Sequence, residues 1–141
     1  MKRNASAVWE GGLKDGKGSI STDSGVLSET QYSFATRFES GEGTNPEELI
    51  AAAHAGCFSM ALSLILGESE LTPESIATKA SVSIESCDDG FEIPAIHLDV
   101  TARIPGADEE TFLNAANAAK AGCPVSKVLN AEITMDARLE P

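Results

Sequence analysis

An uncharged run of 18 residues, residues 49–66, constrains the fold more than any other feature of this sequence. Just before the run, Asn45 can cap a helix, Pro46 suits the first helical position, and Glu48 can complete a capping box. Gly67 directly follows the run and favours a helix stop. The pattern predicts one long helix that begins at Pro46 and ends near this glycine. Because it is apolar on every face, we expect it to be buried on most of its sides.

The same run has the length of a short membrane span. It also contains His54, Ser59, Ser63 and many alanines, which favour a buried central helix over a span. The first 20 residues contain no apolar run of the kind found in signal peptides. We therefore expect a cytoplasmic protein that does not associate with a membrane.

Turn residues and apolar alternation predict the elements on either side of this helix. Strands are expected at residues 6–9, 17–22, 31–38, 79–86, 91–103 and 132–139, and further helices at residues 109–121 and 124–129. The predicted order is β-β-β-α-β-β-α-α-β, which is an α+β fold. No repeat or low-complexity linker interrupts the chain, so we expect a single domain over residues 1–141.

The composition limits the partners that such a domain can have. The formal net charge is −12, so the chain lacks the basic surface that binds nucleic acid. Apolar residues make up 42% of the chain but aromatic residues only 5%, and much of the apolar content is alanine, which buries little area. A homodimer that pools two small cores would offset that shortage. Arg37 also stands out, because it is the only Lys or Arg between residues 18 and 78.

The chain has three cysteines, Cys57, Cys87 and Cys123, without the spacing of a structural zinc site or a disulfide framework. Cys57 lies in the middle of the long predicted helix, where it is either a reactive thiol or an ordinary core residue. Cys123 precedes Pro124 at a predicted helix start, where free N–H groups favour a thiolate, although an incidental cap residue also fits. Cys87 lies in an acidic turn that opposes thiolate formation.

Several segments together resemble the OsmC/Ohr family over nearly the whole chain, and the OsmC branch more than the Ohr branch. The resemblance rests on RFE at 37–39, GTNPEEL at 43–49, AAHAGCFSMAL at 52–62 and AGCPVS at 121–126. It implies an OsmC-like fold in which antiparallel sheets wrap around long central helices in an intertwined homodimer. It also implies a thiol-dependent peroxidase that reduces organic hydroperoxides, and hydrogen peroxide more weakly, in oxidative and osmotic stress defence.

The resemblance also implies roles for four residues. Cys57 matches the peroxidatic cysteine, Cys123 the resolving cysteine, and Arg37 and Glu47 the activating pair. Ohr-type members take their arginine from the first hairpin, so Lys17 is the alternative cation. The chemistry implied uses no metal, haem or flavin. It requires an external dithiol reductant, such as a lipoyl protein or a small dithiol, to reopen a disulfide between the two cysteines.

The spacing between Glu47 and Cys57 carries a consequence for that site. The two residues are ten positions apart, which is about 15 Å along one continuous helix. Within one chain they can share a small site only if the helix bends sharply. An antiparallel partner helix would bring the second chain's Glu47 close to Cys57, which predicts a site at a dimer interface.

Two rival functions remain open from the sequence. His54 lies three residues before Cys57, so a Cys–His hydrolase is one alternative, although a hydrogen-bonded helix histidine is the more ordinary one. Such a hydrolase would not need Cys123. The second rival is a non-enzymatic binding module or structural stress protein with inert core cysteines, which would alkylate slowly and consume no peroxide.

Overall fold

The computed structural model describes residues 1–141, which divide into two compact units, Met1–Leu49 and Ile50–Pro141. Both units mix strands and helices, which confirms the α+β class. The single domain expected over residues 1–141 stays a prediction.

The first unit begins with a three-stranded antiparallel meander. Its strands are β1 (Ala5–Glu10), β2 (Lys17–Thr22) and β3 (Thr30–Tyr32), in that spatial order. Gly18 of β2 lies opposite both Trp9 and Tyr32, whose rings are 5.4 Å apart. A Cβ at Gly18 would come within 2.4 Å of the Tyr32 ring, so only glycine fits there. The first two predicted strands are confirmed.

The third predicted strand, at residues 31–38, is wrong beyond Tyr32. The chain turns there into a short helix, α1 (Phe34–Phe38). Ser33 caps it, because its hydroxyl accepts from the Thr36 N–H while the Thr36 hydroxyl accepts from the Ser33 N–H. The aromatic spacing of Phe34 and Phe38, which suggested a strand, instead places their rings 4.9 Å apart on one helix face.

The long predicted helix is α2 (Pro46–Glu68), which is 23 residues long. Asn45 caps it as expected, accepting from the Glu48 N–H at 2.7 Å. The predicted end at about Leu66 is two residues too early, because the helix includes Gly67 and Glu68. The residue with left-handed backbone conformation after α2 is Glu70, whose φ is 58°.

The second unit is built on a three-stranded sheet in the order β4 (Ser75–Val82), β7 (Ala95–Arg103) and β8 (Glu132–Glu140). β4 and β7 are antiparallel, whereas β8 runs parallel to β7, so this sheet is mixed rather than antiparallel throughout. The parallel pair needs a crossover connection, and α3 (Glu109–Gly122) with α4 (Pro124–Val128) supplies it.

The hairpin predicted from residues 79–86 and 91–103 is interrupted in the structure. A small separate hairpin, β5 (Glu85–Cys87) with β6 (Gly90–Glu92), carries the predicted turn. Pro94 separates β6 from β7, and proline has no N–H to donate to a ladder. β4 therefore lies four residues before the predicted strand, at Ser75–Val82, and β7 begins at Ala95, four residues after the predicted start.

One face of α2 packs into the core of the second unit. Phe58, Leu62 and Leu66 recur every fourth position and share one buried cluster with alternate residues of β7 and one face of α3. His54, one turn earlier on the same face, is also fully buried. The opposite face stays open in the single chain, where Met60 is 78% and Leu64 71% exposed. The prediction that α2 is buried on most sides is therefore not met within one chain, because one sheet covers only one face. By length and composition alone α2 is long and apolar enough to cross a membrane, but core helices of soluble proteins meet the same criteria.

Candidate active site

Cys57 and Cys123 interact directly in the second unit. Cys57 lies half-buried on α2, beside the buried Phe58 stripe, and its thiol makes a hydrogen bond with the Cys123 thiol. Burial raises the pKa of Cys57, the backbone N–H of Val125 opposes that shift, and the hydrogen bond and charge of Cys123 raise the pKa further. Neither of these neighbours is a cation. Both thiols are free, so the pair is in the reduced state.

Cys123 lies at the junction of two helices. It is the C-cap of α3 and the N-cap of α4, and its Sγ accepts a hydrogen bond from the Ser126 N–H at 3.4 Å. The residue is only 1% exposed. The predicted helix start at Pro124 is confirmed, and it aims the Cys123 sulfur into the core rather than toward solvent.

A chain of hydrogen bonds continues from Cys123 into the core. The Ser126 hydroxyl lies 3.1 Å from Cys123 Sγ and 2.8 Å from Nε2 of His54. His54 is fully buried, burial lowers its pKa, and its other ring nitrogen, Nδ1, has no hydrogen-bond partner. His54 therefore bonds to Ser126 and not to Cys57, which removes the contact that a Cys–His hydrolase would need.

Arg37 and Glu47 form an ion pair in the first unit. Nε and Nη2 of Arg37 both donate to Glu47 Oε1, each at 2.9 Å. The Glu47 side chain is only 8% exposed, and its second oxygen, Oε2, is buried without a hydrogen-bond partner. The pair predicted from the resemblance to the OsmC/Ohr family thus forms, but the two donors of the guanidinium meet one carboxylate oxygen rather than two. The other oxygen stays available to a further donor.

An apolar cavity of about 290 Å³ lies beside this arginine in the first unit. Its lining is mostly aromatic and comprises Trp9, Leu13, Tyr32, Ser33, Phe34, Arg37 and Phe38. The Arg37 guanidinium also lies over the Phe38 ring, 5.2 Å from its centroid. A cation at the edge of an aromatic wall suits a ligand that has one polar end and one apolar body.

The remaining candidates have other surroundings. Lys17 reaches only Glu10, at 4.0 Å, and both side chains are largely exposed. Cys87 lies in the β5–β6 hairpin, as expected from its acidic turn. No group of three or more His, Cys, Asp or Glu side chains has the arrangement of a metal site.

Comparison with known proteins places the chain in a family. A family model described as OsmC-like protein matches residues 39–138, a range that includes Glu47 and both interacting cysteines. The chain belongs to the OsmC-like family. Peroxiredoxin OsmC of Escherichia coli strain K12 is 56% identical to it over 140 residues, which cover 99% of this chain and 98% of that protein.

One further relative and one solved structure are also similar to this chain. The organic hydroperoxide resistance protein OhrB of Bacillus subtilis strain 168 is 34% identical over 124 residues, covering 87% of this chain and 88% of OhrB. The crystal structure of an OsmC-like protein from Mycoplasma pneumoniae has a TM-score of 0.77 with 17% identity and covers 100% of this chain and 99% of that one. The latter likeness concerns the fold, and it confirms the predicted OsmC-like fold.

Within this OsmC-like chain, the predicted site residues form two pairs, Cys57 with Cys123 and Arg37 with Glu47. Ser126 was not singled out from the sequence as a functional residue. The sequence signal that points to Ser126 is its spacing from Cys123, because the N–H of the third residue after a helix N-cap donates to the cap side chain. The contact with His54 joins positions 72 residues apart and has no signal in one sequence.

Proposed function

We propose that this protein is a thiol-dependent peroxidase that reduces organic hydroperoxides, and hydrogen peroxide more weakly, to alcohols. Its role is defence against oxidative and osmotic stress. The interaction of the Cys57 and Cys123 thiols carries the proposal, because a two-cysteine peroxidase needs its thiols within reach of one another. The names of the relatives, a peroxiredoxin and a hydroperoxide resistance protein, support the same reaction.

The first step is attack by the Cys57 thiolate on the terminal oxygen of the hydroperoxide. The O–O bond breaks, the alcohol leaves after gaining a proton, and Cys57 becomes a sulfenic acid. Cys123 then condenses with the sulfenic acid to form a disulfide and water. An external dithiol, such as a lipoyl protein or a small dithiol, reduces that disulfide and restores both thiols. No step requires a metal, haem or flavin.

Arg37 is the proposed activating cation. Burial raises the pKa of Cys57, so a nearby positive charge is needed to keep it a thiolate at neutral pH. Arg37 also binds the peroxide oxygens, and Glu47 holds the guanidinium in place through its buried Oε1. The exposed position of Lys17 beside Glu10 favours Arg37 over Lys17 for this role.

The aromatic cavity beside Arg37 is the proposed site for the organic part of the substrate. Its apolar lining would bury an alkyl or aryl group, whereas hydrogen peroxide would gain nothing from it. This difference accounts for the preference for organic hydroperoxides.

A homodimer is the proposed functional unit. One face of α2 is open in the single chain and carries Met60 and Leu64, which a second copy would cover. Because Glu47 and Cys57 are about 15 Å apart along α2, we propose that Arg37 and Glu47 of one subunit serve Cys57 of the other. We also propose that the protein is cytoplasmic and that it binds neither nucleic acid nor membranes, as its acidity suggests.

The test is the loss of cumene hydroperoxide in the presence of excess dithiol, followed for wild type and for Cys57→Ser. Wild type should consume the hydroperoxide catalytically and Cys57→Ser should not. Cys87→Ser is the matched control, since it also removes one thiol and should keep full activity. Wild-type protein that consumes no hydroperoxide, or a Cys57→Ser variant that is fully active, would contradict the proposal.

A further inference from the structure

The hydrogen bonds from Cys123 through Ser126 to His54 have no part in the steps described above. Cys123 is 1%, Ser126 8% and His54 0% exposed, so the three polar groups lie in the core. Polar groups are costly to bury, and His54 still has one ring nitrogen without a partner. A core that needed only packing would be better served by apolar side chains at these positions.

If the proposed function holds, the conversion of the Cys57 sulfenic acid into a disulfide gives these buried hydrogen bonds a role, because that step requires a proton to leave Cys123. The Cys57 sulfenic acid and the Cys123 thiol give a disulfide and water. The S–S bond forms, the S–O bond of Cys57 and the S–H bond of Cys123 break, and the proton leaves with the departing oxygen. The Cys123 sulfur supplies the electron pair and is oxidised, while the Cys57 sulfur is reduced, so no further oxidant or reductant takes part.

The proton is the difficult part of this step. A thiol is a poor nucleophile until it loses its proton, and Cys123 is too deeply buried to give that proton directly to bulk water. The Ser126 hydroxyl is the group in contact with Cys123 Sγ, at 3.1 Å, and His54 Nε2 is in contact with that hydroxyl. The geometry therefore offers one route out of the thiol.

We propose that Ser126 and His54 accept the Cys123 proton during disulfide formation. The Ser126 hydroxyl takes the proton from the Cys123 thiol and passes its own proton to Nε2 of His54. Before this transfer the neutral ring carries its single N–H proton on Nδ1, so Nε2 is able to accept. The proton then returns to the oxygen that leaves Cys57, which departs as water. Ser126 is a catalytic residue, because it touches the reacting sulfur, and His54 is a positioning residue that acts through it.

Electrostatics agree with a brief stay of the proton on His54. Burial lowers the pKa of His54, so the ring is neutral at rest and ready to accept. The same burial disfavours the charged ring, so the proton does not remain there. The Ser126 N–H also donates to Cys123 Sγ, which stabilises the thiolate as it forms.

Separate timing of the two chemical steps tests this inference. One equivalent of cumene hydroperoxide is mixed with reduced protein, and samples are quenched at intervals with a sulfenic-acid trap and a thiol alkylating agent. Mass spectrometry then gives the rate of Cys57 oxidation and the rate of disulfide formation. The proteins are wild type, Ser126→Ala, Ser126→Thr and His54→Gln. Ser63→Ala is the control, because Ser63 is an exposed serine on α2, the helix that carries His54.

We expect Ser126→Ala and His54→Gln to slow disulfide formation by about tenfold or more and to change Cys57 oxidation by less than about twofold. Ser126→Thr should restore much of the rate, because it keeps the hydroxyl, and Ser63→Ala should match wild type. Disulfide formation at the wild-type rate in both Ser126→Ala and His54→Gln would overturn the inference. Equal slowing of both steps would also overturn it, since that result indicates a purely structural role.

The same experiment separates this inference from the function on which it rests. If wild type itself forms no disulfide between Cys57 and Cys123, the proposed peroxidase cycle fails and the relay fails with it. If wild type forms the disulfide and the relay variants match it, only the relay fails. Should Ser126→Ala not fold, His54→Gln decides the outcome, with its fold checked by circular dichroism.

Discussion

The two compact units of this chain differ in the kind of chemistry that they hold. The first unit has a charged pair, Arg37 with Glu47, beside an aromatic cavity. The second unit has two interacting thiols, Cys57 and Cys123, in a core whose hydrogen bonds come from neutral groups. Burial raises the pKa of Cys57, and neither neighbour that shifts this pKa is a cation.

That difference explains why each region would be ineffective alone. Thiols in an apolar core stay protonated and react slowly, and an ion pair without a nucleophile performs no chemistry. In the proposed function, the thiolate of Cys57 in one chain would be stabilised by Arg37 of its partner chain. The following predictions test whether the two regions act as one site and which of them limits the rate.

The largest effect should come from removing the nucleophile. We expect Cys57→Ser to lower peroxidase turnover by at least about a thousandfold, because no other thiol can replace it. Cys123→Ser should instead react once with hydroperoxide and then accumulate the Cys57 sulfenic acid. Hydroperoxide consumption and trapping of the sulfenic acid measure the two outcomes. If Cys123→Ser lost the first fast reaction while Cys57→Ser kept it, the roles would be reversed.

Removing the charge should have the next largest effect. We expect Arg37→Ala to raise the pKa of Cys57 and to slow peroxide attack by about tenfold to a hundredfold near neutral pH. The thiolate is the reactive form, so its fraction rises with pH, and the midpoint of the rate–pH curve should move to higher pH in the variant. Thiol alkylation against pH measures this midpoint. Lys17→Ala is the matched control, and a midpoint that moves there instead would transfer the role to Lys17.

Subunit exchange tests whether the two regions come from different chains. A Glu47→Ala chain keeps Cys57, and a Cys57→Ser chain keeps Glu47, so a mixed dimer has one intact shared site. After full exchange we expect about a quarter of wild-type activity per chain, since half of the dimers are mixed and each has one of two sites. Absence of recovery, once exchange is verified by mass spectrometry, would place both residues of a site on one chain. A monomer in sedimentation would reject the shared site outright.

The smallest effect concerns the buried His54. Its folded-state pKa is lowered, so below its ordinary value of about 6.5 the unfolded chain binds more protons than the folded one. The stability that the neutral ring contributes is present above that pH and is lost as the pH falls. We expect urea unfolding to show a steeper loss of stability from about pH 7 to pH 5 in wild type than in His54→Gln. Identical slopes would mean that His54 titrates alike in both states.

The sequence predicted those features that depend on local signals. The Asn45 cap and Pro124 placed the starts of α2 and α4 correctly, because a helix start is encoded by a few neighbouring residues. The strand assigned to residues 31–38 failed because Phe34 and Phe38 fit the alternation of a strand and the spacing of a helix equally well. The Ser33 capping box decided between them.

Features that depend on contacts far apart in the chain were harder to predict. The parallel pairing of β8 with β7 and the hydrogen bond between His54 and Ser126 each join residues that no short motif connects. The family resemblance supplied the partners Cys57 with Cys123 and Arg37 with Glu47. It did not supply the environment that raises the pKa of Cys57, which follows from burial in the folded core.

The most direct test of the account is the product of a single oxidation. Reduced wild-type protein is treated with one equivalent of cumene hydroperoxide, the remaining thiols are alkylated, and the peptides are mapped by mass spectrometry without reduction. We expect a disulfide between Cys57 and Cys123, with Cys87 alkylated as a free thiol. A bridge to Cys87, or sulfinic acid at Cys57 with Cys123 still free, would contradict the account.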